Sequence, residues 1–330
     1  MEAFQLAGDI GGTKTTLAIV NLNQDPHIFL EKATYPSKDY ASLEALVSDY
    51  LHDKPYPLTR ACFDIAGPVT EGKVQATNIP WFVEETALQN MLHVPVHLLN
   101  DLTAIALAVP TLGQDDLITL QAGQPVNQGA IAVIAPGTGL GEAFLLWCGK
   151  RYQAFPSEGG HVDFAPTDDL QLKLLNYLYN HYGHVSYERI SSGSGIPNLY
   201  AFLKESEIYP EPKWLAEQLA RGGDPAPIIS LAALEGTAEI AVAAMNLFTT
   251  ILASEAGNLT LKVLATGGVY LGGGIPPRIL PFLRKASFLS AFQNKGRFSE
   301  MLSRVPVHII RNPEVALIGA ARYGMEQAEL

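Results

Sequence analysis

Residues 4–20 read Phe4-Gln5-Leu6-Ala7-Gly8-Asp9-Ile10-Gly11-Gly12-Thr13-Lys14-Thr15-Thr16-Leu17-Ala18-Ile19-Val20. Apolar Phe4, Leu6 and Ala7 lead into a glycine bend and Leu17 to Val20 lead out, which predicts two short strands joined by a turn. Adjacent glycines strip side chains from the bend, so its backbone N–H groups can approach a polyanion closely. Asp9 adds a carboxylate able to hold a magnesium ion through water, Thr13 and Thr15 add hydroxyls, and Lys14 adds a positive charge. An ordinary hairpin shares this pattern, so the turn alone does not decide. A P-loop would read G-x-x-x-x-G-K-[ST]; Gly8 is followed at that distance by Thr13-Lys14-Thr15, without the second glycine. That loop must also open a helix, whereas Thr16 to Val20 is β-branched and apolar like a strand. A Walker-type ATPase is disfavoured.

With 330 residues the chain is long for one hydrophobic core, and two domains are expected. A hydrophobic fraction of 48% and a charged fraction of 17% fit a compact protein rather than a disordered one. A net charge of −11 argues against nucleic-acid or anionic-membrane partners, so attraction to an anionic ligand must be local. Cys62 and Cys148 suit a reducing cytoplasm and cannot build a four-thiolate zinc site. The amino terminus runs into a strand without a basic segment and cleavage site. The longest uncharged apolar stretch, Ile240 to Ser254, falls short of the roughly 20 residues that span a bilayer. A cytoplasmic protein with a buried helix there is expected.

Along the chain, apolar spacing predicts a helix over 42–52, a strand over 60–66 stopped by Gly67-Pro68, an extended piece over 72–78, a helix over 84–92 and a strand over 94–99. Strands alternating with helices make the fold class α/β. The last of these strands ends at Asn100-Asp101, before an alanine-rich helix. Ligands of open α/β sheets sit beyond the carboxyl ends of strands, although Asn and Asp are also favoured helix caps. A second strand–glycine turn–strand unit follows at Ile131 to Trp147, with Gly137-Thr138-Gly139-Leu140-Gly141 at its bend. A dinucleotide-binding reading would need a helix directly afterwards, and Ala143 to Trp147 resembles a strand. Two such turns could grip one polyphosphate.

Ser157-Glu158-Gly159-Gly160-His161-Val162-Asp163 could be a metal cluster, a polar sugar pocket or a solvated loop. A helix over 168–182 is expected to bury Leu172, Leu175, Leu178 and Tyr179. Glu188 stands beside a small-residue loop, its ordinary reading being an ion pair with Arg189. Residues 210–227 read as exposed connections around a short helix, and 232–256 as one long buried helix. Val263 to Ile275 reads as apolar strands broken by Gly267-Gly268 and Gly272-Gly273-Gly274, bare backbone against which a nucleobase could lie. A strand over 307–310 and a helix over 313–325 close the chain.

The order and spacing of Gly8-Asp9-Ile10-Gly11-Gly12-Thr13, Leu99-Asn100-Asp101, Gly137-Thr138-Gly139-Leu140-Gly141, Ser157-Glu158-Gly159-Gly160-His161, Tyr187-Glu188-Arg189 and Gly272-Gly273-Gly274-Ile275 resemble the bacterial-type glucokinases, in the actin-like sugar kinase group. The resemblance implies a two-domain actin-like ATPase (ribonuclease H-like) fold with its active-site cleft between domains. It implies a small domain of 1–111 plus 310–330, a larger one of 112–309, and a homodimer. Asp101 is then the base for the glucose 6-hydroxyl. Asn100, Glu158, His161 and Glu188, with Asn78 assisting, bind the other hydroxyls. Asp9, Gly11, Gly12 and Thr13, and Gly137, Thr138 and Gly139, clamp the phosphates of Mg-ATP, and Gly272, Gly273 and Gly274 carry the adenosine. A related branch has a cysteine-rich zinc motif after its Gly-His. Here Val162-Asp163-Phe164-Ala165-Pro166 follows, which points to the zinc-free branch, whereas Lys14 is more typical of the other.

Phosphoryl transfer needs alignment and charge stabilisation more than covalent help, and domain closure around the sugar is the expected guard against water as acceptor. The rivals are a non-catalytic sugar-sensing regulator on the same fold, a kinase of another hexose, and an actin- or chaperone-like ATPase without a sugar. Intact turns, Asp101 and the Glu158/His161/Glu188 set favour the glucokinase, as does the lack of a DNA-binding extension before residue 4.

Overall fold

A computed structural model describes residues 3–328; residues 1, 2, 329 and 330 lie outside the described part. The chain forms two compact units: Met1–Gly113 with Tyr152–Ala154 and Asn312–Leu330, and Gln114–Arg151 with Phe155–Arg311.

The first unit holds a five-stranded sheet built from β1 (Phe4–Ile10), β2 (Lys14–Asn21), β3 (Phe29–Pro36), β4 (Leu58–Ile65) and β7 (Val96–Asn100), in the order β3-β2-β1-β4-β7. Two short strands, β5 (Lys73–Gln75) and β6 (Phe82–Glu84), pair separately. β1 and β2 are the expected hairpin, antiparallel from Phe4↔Asn21 to Ile10↔Thr15, and β4 and β7 join it in parallel.

Side chains alternate across a sheet, and here the two faces differ in size. Large Leu6, Leu17, Ile19 and Phe63 pack with the helix Leu43–Leu51, whose N-cap Ser42 accepts the Ala45 N–H. Small Ala7, Ala18 and Cys62 face the helices Asp101–Ala108 and Val315–Ala328. The latter is tied to the first strands: Gln5 Nε2 donates to Ala320 O at 3.0 Å and Arg60 to Gly324 O at 2.8 Å.

The second unit holds a six-stranded sheet, apart from the first three residues of β11, made of β8 (Leu117–Gln121), β9 (Ile131–Pro136), β10 (Leu140–Trp147), β11 (Tyr152–Ser157), β12 (Gly268–Leu271) and β13 (Val307–Ile310), ordered β11-β10-β9-β12-β13-β8. β9 and β10 form the second glycine hairpin, and β12 runs parallel to both β9 and β13. Its core is filled around the helix Glu239–Val263. By length and composition that helix could cross a membrane, with mean hydropathy 1.4, yet 78% of its most apolar stretch is buried inside the protein.

Three expectations need correction. The long helix begins at Glu239 rather than 232, because a separate helix, Pro225–Leu234, ends before a left-handed Gly236. It also runs on to Val263 and stops at left-handed Leu264, so those two residues belong to a helix end and not to a strand. The helix Asp169–Tyr182 buries Gln171, Leu174 and Leu178, leaving Leu172 54% and Tyr179 61% exposed. A polar residue turns inward there because Gln171 is satisfied locally: its N–H and amide donate to the Asp168 carboxylate at 2.8 and 3.0 Å, and its oxygen accepts from Thr167.

Candidate active site

In the first unit, the bend between β1 and β2 is closed by Gly11 N–H donating to Lys14 O at 3.0 Å. Gly12 lies against Asn78, where an added Cβ would come 2.4 Å from the Asn78 Cβ, so the bend and Asn78 share one place. Thr13 is exposed, but Thr15 faces the core and its hydroxyl pairs with Ser37 Oγ at 3.0 Å. Strand alternation turns Thr15 inward, so it offers no hydroxyl to a ligand.

Parallel β1, β4 and β7 bring their carboxyl ends together, with Asp9 opposite Asp64 and Ile65 opposite Asn100. Asn100 caps the following helix: its Oδ1 accepts the N–H groups of Leu102 and Thr103 at 3.0 and 3.4 Å, while Nδ2 donates to Gly67 O at 3.1 Å. Asp101 opens that helix half-buried, accepting the Leu102 N–H at 2.9 Å. Burial lifts the Asp101 carboxyl above the usual range, opposed by backbone N–H groups and Asn100. Burial also lifts Asp9, with Asp101 adding to the rise and Lys14 opposing it.

Asp64 was not foreseen. It is fully buried with the Asp9 carboxyl beside its own, and burial with the negative charge of Asp9 and Asp101 pushes it far up. The available signal was one acid inside the apolar run Ala61-Cys62-Phe63-Asp64-Ile65.

In the second unit, Gly159 and Gly160 let their loop lie flat on β10. A Cβ on Gly160 would meet Leu140 O at 2.1 Å, and one on Gly159 would meet Glu142 Oε2 at 2.0 Å. The flat loop leaves Glu158 and His161 pointing outward. Glu188, at the start of the helix Glu188–Ser191, accepts the Leu140 N–H at 3.0 Å. Its other oxygen stands 3.6 Å from His161 Nε2, and His161 Nδ1 is 3.8 Å from Glu158 Oε2. Glu158, His161 and Glu188 therefore form one polar cluster with open faces, respectively 89%, 61% and 31% exposed. Arg189 lies over the Tyr182 ring at 4.2 Å instead of serving Glu188. Among the described residues, no three His, Cys, Asp or Glu side chains form a metal-holding group.

The second bend is supported from behind by Gly193 N–H and Ser194 Oγ, which donate to Gly137 O and Thr138 O at 2.7 and 3.1 Å. Gly272 N–H donates to Ile134 O at 2.9 Å, holding the third glycine cluster beside β9. A cavity of about 400 Å³ joins Gly137 and Thr138 to Gly274 and Ile275, with Ser230 and Leu231 on its wall. Asp224 there belongs to the segment read only as exposed connection, and Ser230 falls between that segment and the long helix; the cap sequence Asp224-Pro225-Ala226 was the one signal.

The fold is the two-domain actin-like ATPase fold of sugar kinases. A glucokinase from an Antarctic psychrotroph matches 97% of this chain and 98% of its own, with TM-score 0.86 and 34% identity. A ROK-family glucokinase from Streptomyces griseus, in complex with glucose and AMPPNP, shares the fold at TM-score 0.62 and 20% identity over 97% and 98% of the two chains. The glucokinase of a Nostoc species is 41% identical over 96% of this chain and 97% of its own. The Glucokinase family profile matches residues 6–327, and the chain belongs to the glucokinase family, enzymes that phosphorylate glucose with ATP.

Proposed function

We propose that Asp101 is the general base of this glucokinase. Its carboxylate takes the proton of the glucose 6-hydroxyl as that oxygen bonds to the γ-phosphorus of ATP and the bond to the β-phosphate oxygen breaks, releasing ADP. The carrying observation is its place beyond the carboxyl end of β7, half-buried with a raised proton affinity. A positioned base of that kind is worth roughly 10²–10⁴-fold.

Glu158, His161 and Glu188 take the remaining sugar hydroxyls, supported by their mutual contacts, with Asn78 and Asn100 completing the set. The Asn100 side chain also caps the helix that Asp101 opens, and so orients Asp101 as well. The bends at Gly11, Gly12 and Thr13 and at Gly137, Thr138 and Gly139 receive the phosphates of ATP; the N–H groups of Gly11 and Gly137 close the two bends, and those of the other residues are offered to the ligand. Gly272, Gly273 and Gly274 and the adjoining cavity take the adenosine.

Mg²⁺ fits the first unit, where Asp9 stands opposite buried Asp64 and burial lifts both carboxyls above their usual range. Asp9 would hold it through water, and the ion would neutralise charge on the transferring phosphoryl group. The domains at work are 1–111 with 310–330, and 112–309, in a homodimer with no nucleic-acid or membrane partner. Two cysteines without a disulfide, buried Cys62 and exposed Cys148, support a cytoplasmic place.

The test is ADP formation from Mg-ATP with a panel of hexoses. Glucose should give the highest kcat/KM. Preference for another hexose would make this a kinase of that sugar, and glucose binding without ADP would make it a sensor.

A further inference from the structure

Glu142 of β10 is fully buried, yet neither carboxyl oxygen has a hydrogen-bond partner. The Gly159 backbone rests on it, so closely that a Cβ there would fall 2.0 Å from Oε2. Across β9 its neighbour is apolar Ile134. From the long helix it faces a second fully buried acid, Glu255, and Lys262.

Glu255 is well compensated. It accepts from Lys262 Nζ at 2.9 Å and from Asn258 Nδ2 at 2.8 Å. Asn258 also donates to the Tyr187 hydroxyl at 2.9 Å and accepts from Lys295 Nζ at 2.7 Å. Lys295 further donates to Ser254 Oγ at 3.0 Å. Glu142 shares none of these bonds. Burial first, then Glu255, push the Glu142 carboxyl up to about 8, against the pull of Lys262. A neutral carboxyl tolerates this place; a carboxylate beside a second buried carboxylate needs water. Lifting the side-chain-free backbone of Gly159, which lies against the carboxyl, would admit it.

We propose that Glu142 is a positioning residue for the sugar loop: neutral, it supports Gly159 and so fixes Glu158 and His161, and its ionisation in alkaline solution loosens glucose binding. This rests on the reading that Glu158 and His161 hold the sugar. The loop does not carry the proposed base, Asp101, so kcat at saturating glucose holds while KM rises.

The experiment measures glucose binding by calorimetry, and glucose KM and kcat, from pH 6.5 to 9.5 for the wild type, Glu142→Gln, Glu255→Gln and Glu158→Gln. The wild-type Kd should rise at least about fivefold between pH 7.5 and 9.5, within the tenfold per unit that one proton allows. Glu142→Gln, isosteric and always neutral, should match the wild type at pH 7.5 and stay within about twofold to pH 9.5. Glu255→Gln removes the repelling charge and should move the rise to lower pH. A flat wild type, or a Glu142→Gln profile that climbs with it, overturns the proposal. If Glu142→Gln does not fold, an unmoved rise in Glu255→Gln overturns it instead. Glu158→Gln separates the two readings: wild-type binding there removes the sugar loop itself, whereas weak binding there with a climbing Glu142→Gln profile removes only the role of Glu142.

Discussion

His161 Nε2 stands 3.6 Å from Glu188 Oε1, while the second oxygen of Glu188 takes the Leu140 N–H at 3.0 Å. One carboxylate thus couples the sugar-loop histidine to the first residue of β10. Removing it leaves a backbone donor and a histidine without their partner, at about 1–3 kcal/mol. Glu188→Ala should raise the glucose KM roughly 5- to 150-fold and leave the ATP KM within about twofold. Steady-state kinetics with each substrate varied would show this; an unchanged glucose KM removes Glu188 from the sugar site.

Asp101→Asn keeps the shape at the start of its helix but cannot accept a proton as a carboxylate does. The expected loss in kcat is roughly 10²–10⁴-fold with glucose affinity retained. A coupled ADP assay alongside calorimetry separates the two quantities. Turnover near the wild-type value would mean that another group is the base.

Gly12 cannot carry a side chain, since a Cβ would come 2.4 Å from the Asn78 Cβ. Gly12→Ala should cost about 1–3 kcal/mol in overpacking and raise the ATP KM. Adding Asn78→Gly removes the obstructing atom and should recover most of the stability. Two variants whose losses simply add, measured by urea denaturation as a double-mutant cycle, would show that the crowding is relieved elsewhere.

The cavity of about 400 Å³ that joins the second bend to Gly274 has Ser230 on its wall. Ser230→Phe should fill part of it and raise the ATP KM about tenfold or more, at 1.4 kcal/mol per tenfold, with glucose binding unaffected. An unaltered ATP KM in a folded Ser230→Phe variant would place the nucleotide elsewhere.

Asp64 carries the clearest pH signature of the metal-free fold. Its folded proton affinity lies well above that of an ordinary aspartate, whose pKa is 3.8. Folding therefore takes up a proton between the two values. This contribution is complete below pH 3.8 and is lost as pH rises toward the folded value, by at most about 1.4 kcal/mol per pH unit. Asp64→Asn should flatten the decline, so its stability relative to wild type improves from pH 5 to pH 8. Parallel denaturation curves at both pH values would contradict an acid held neutral.

Both glycine hairpins were legible in the chain because each is written locally: an apolar run, small residues, a second apolar run. Glu158, His161 and Glu188 could be listed from sequence, but their meeting depends on Leu140 presenting an N–H to a helix that starts almost fifty positions later. Gln171 concealed the buried face of its helix, since a local cap bond lets a polar side chain enter where periodicity expects leucine. Asp64 and Glu142 were overlooked for a related reason. Each is a single acid in an apolar strand, and what makes it unusual comes from remote segments: Asp9 and Asp101 around the first, Glu255 and Gly159 around the second. The boundaries of the long helix turned on the backbone conformation of Gly236 and Leu264, which hydrophobic patterning does not encode.

The bonds from Gln5 to Ala320 and from Arg60 to Gly324 set an order of events during synthesis. Ala7, Ala18 and Cys62 leave the ribosome early, and with only Ala104 and Leu107 against them their cover stays incomplete until Leu317, Ala320 and Ala321 arrive. The second unit, made in between, has its helices and sheet complete by residue 311. The half of the molecule that is started first is thus the half that is finished last, and a premature stop near residue 311 would leave its alanine-lined sheet face only partly covered.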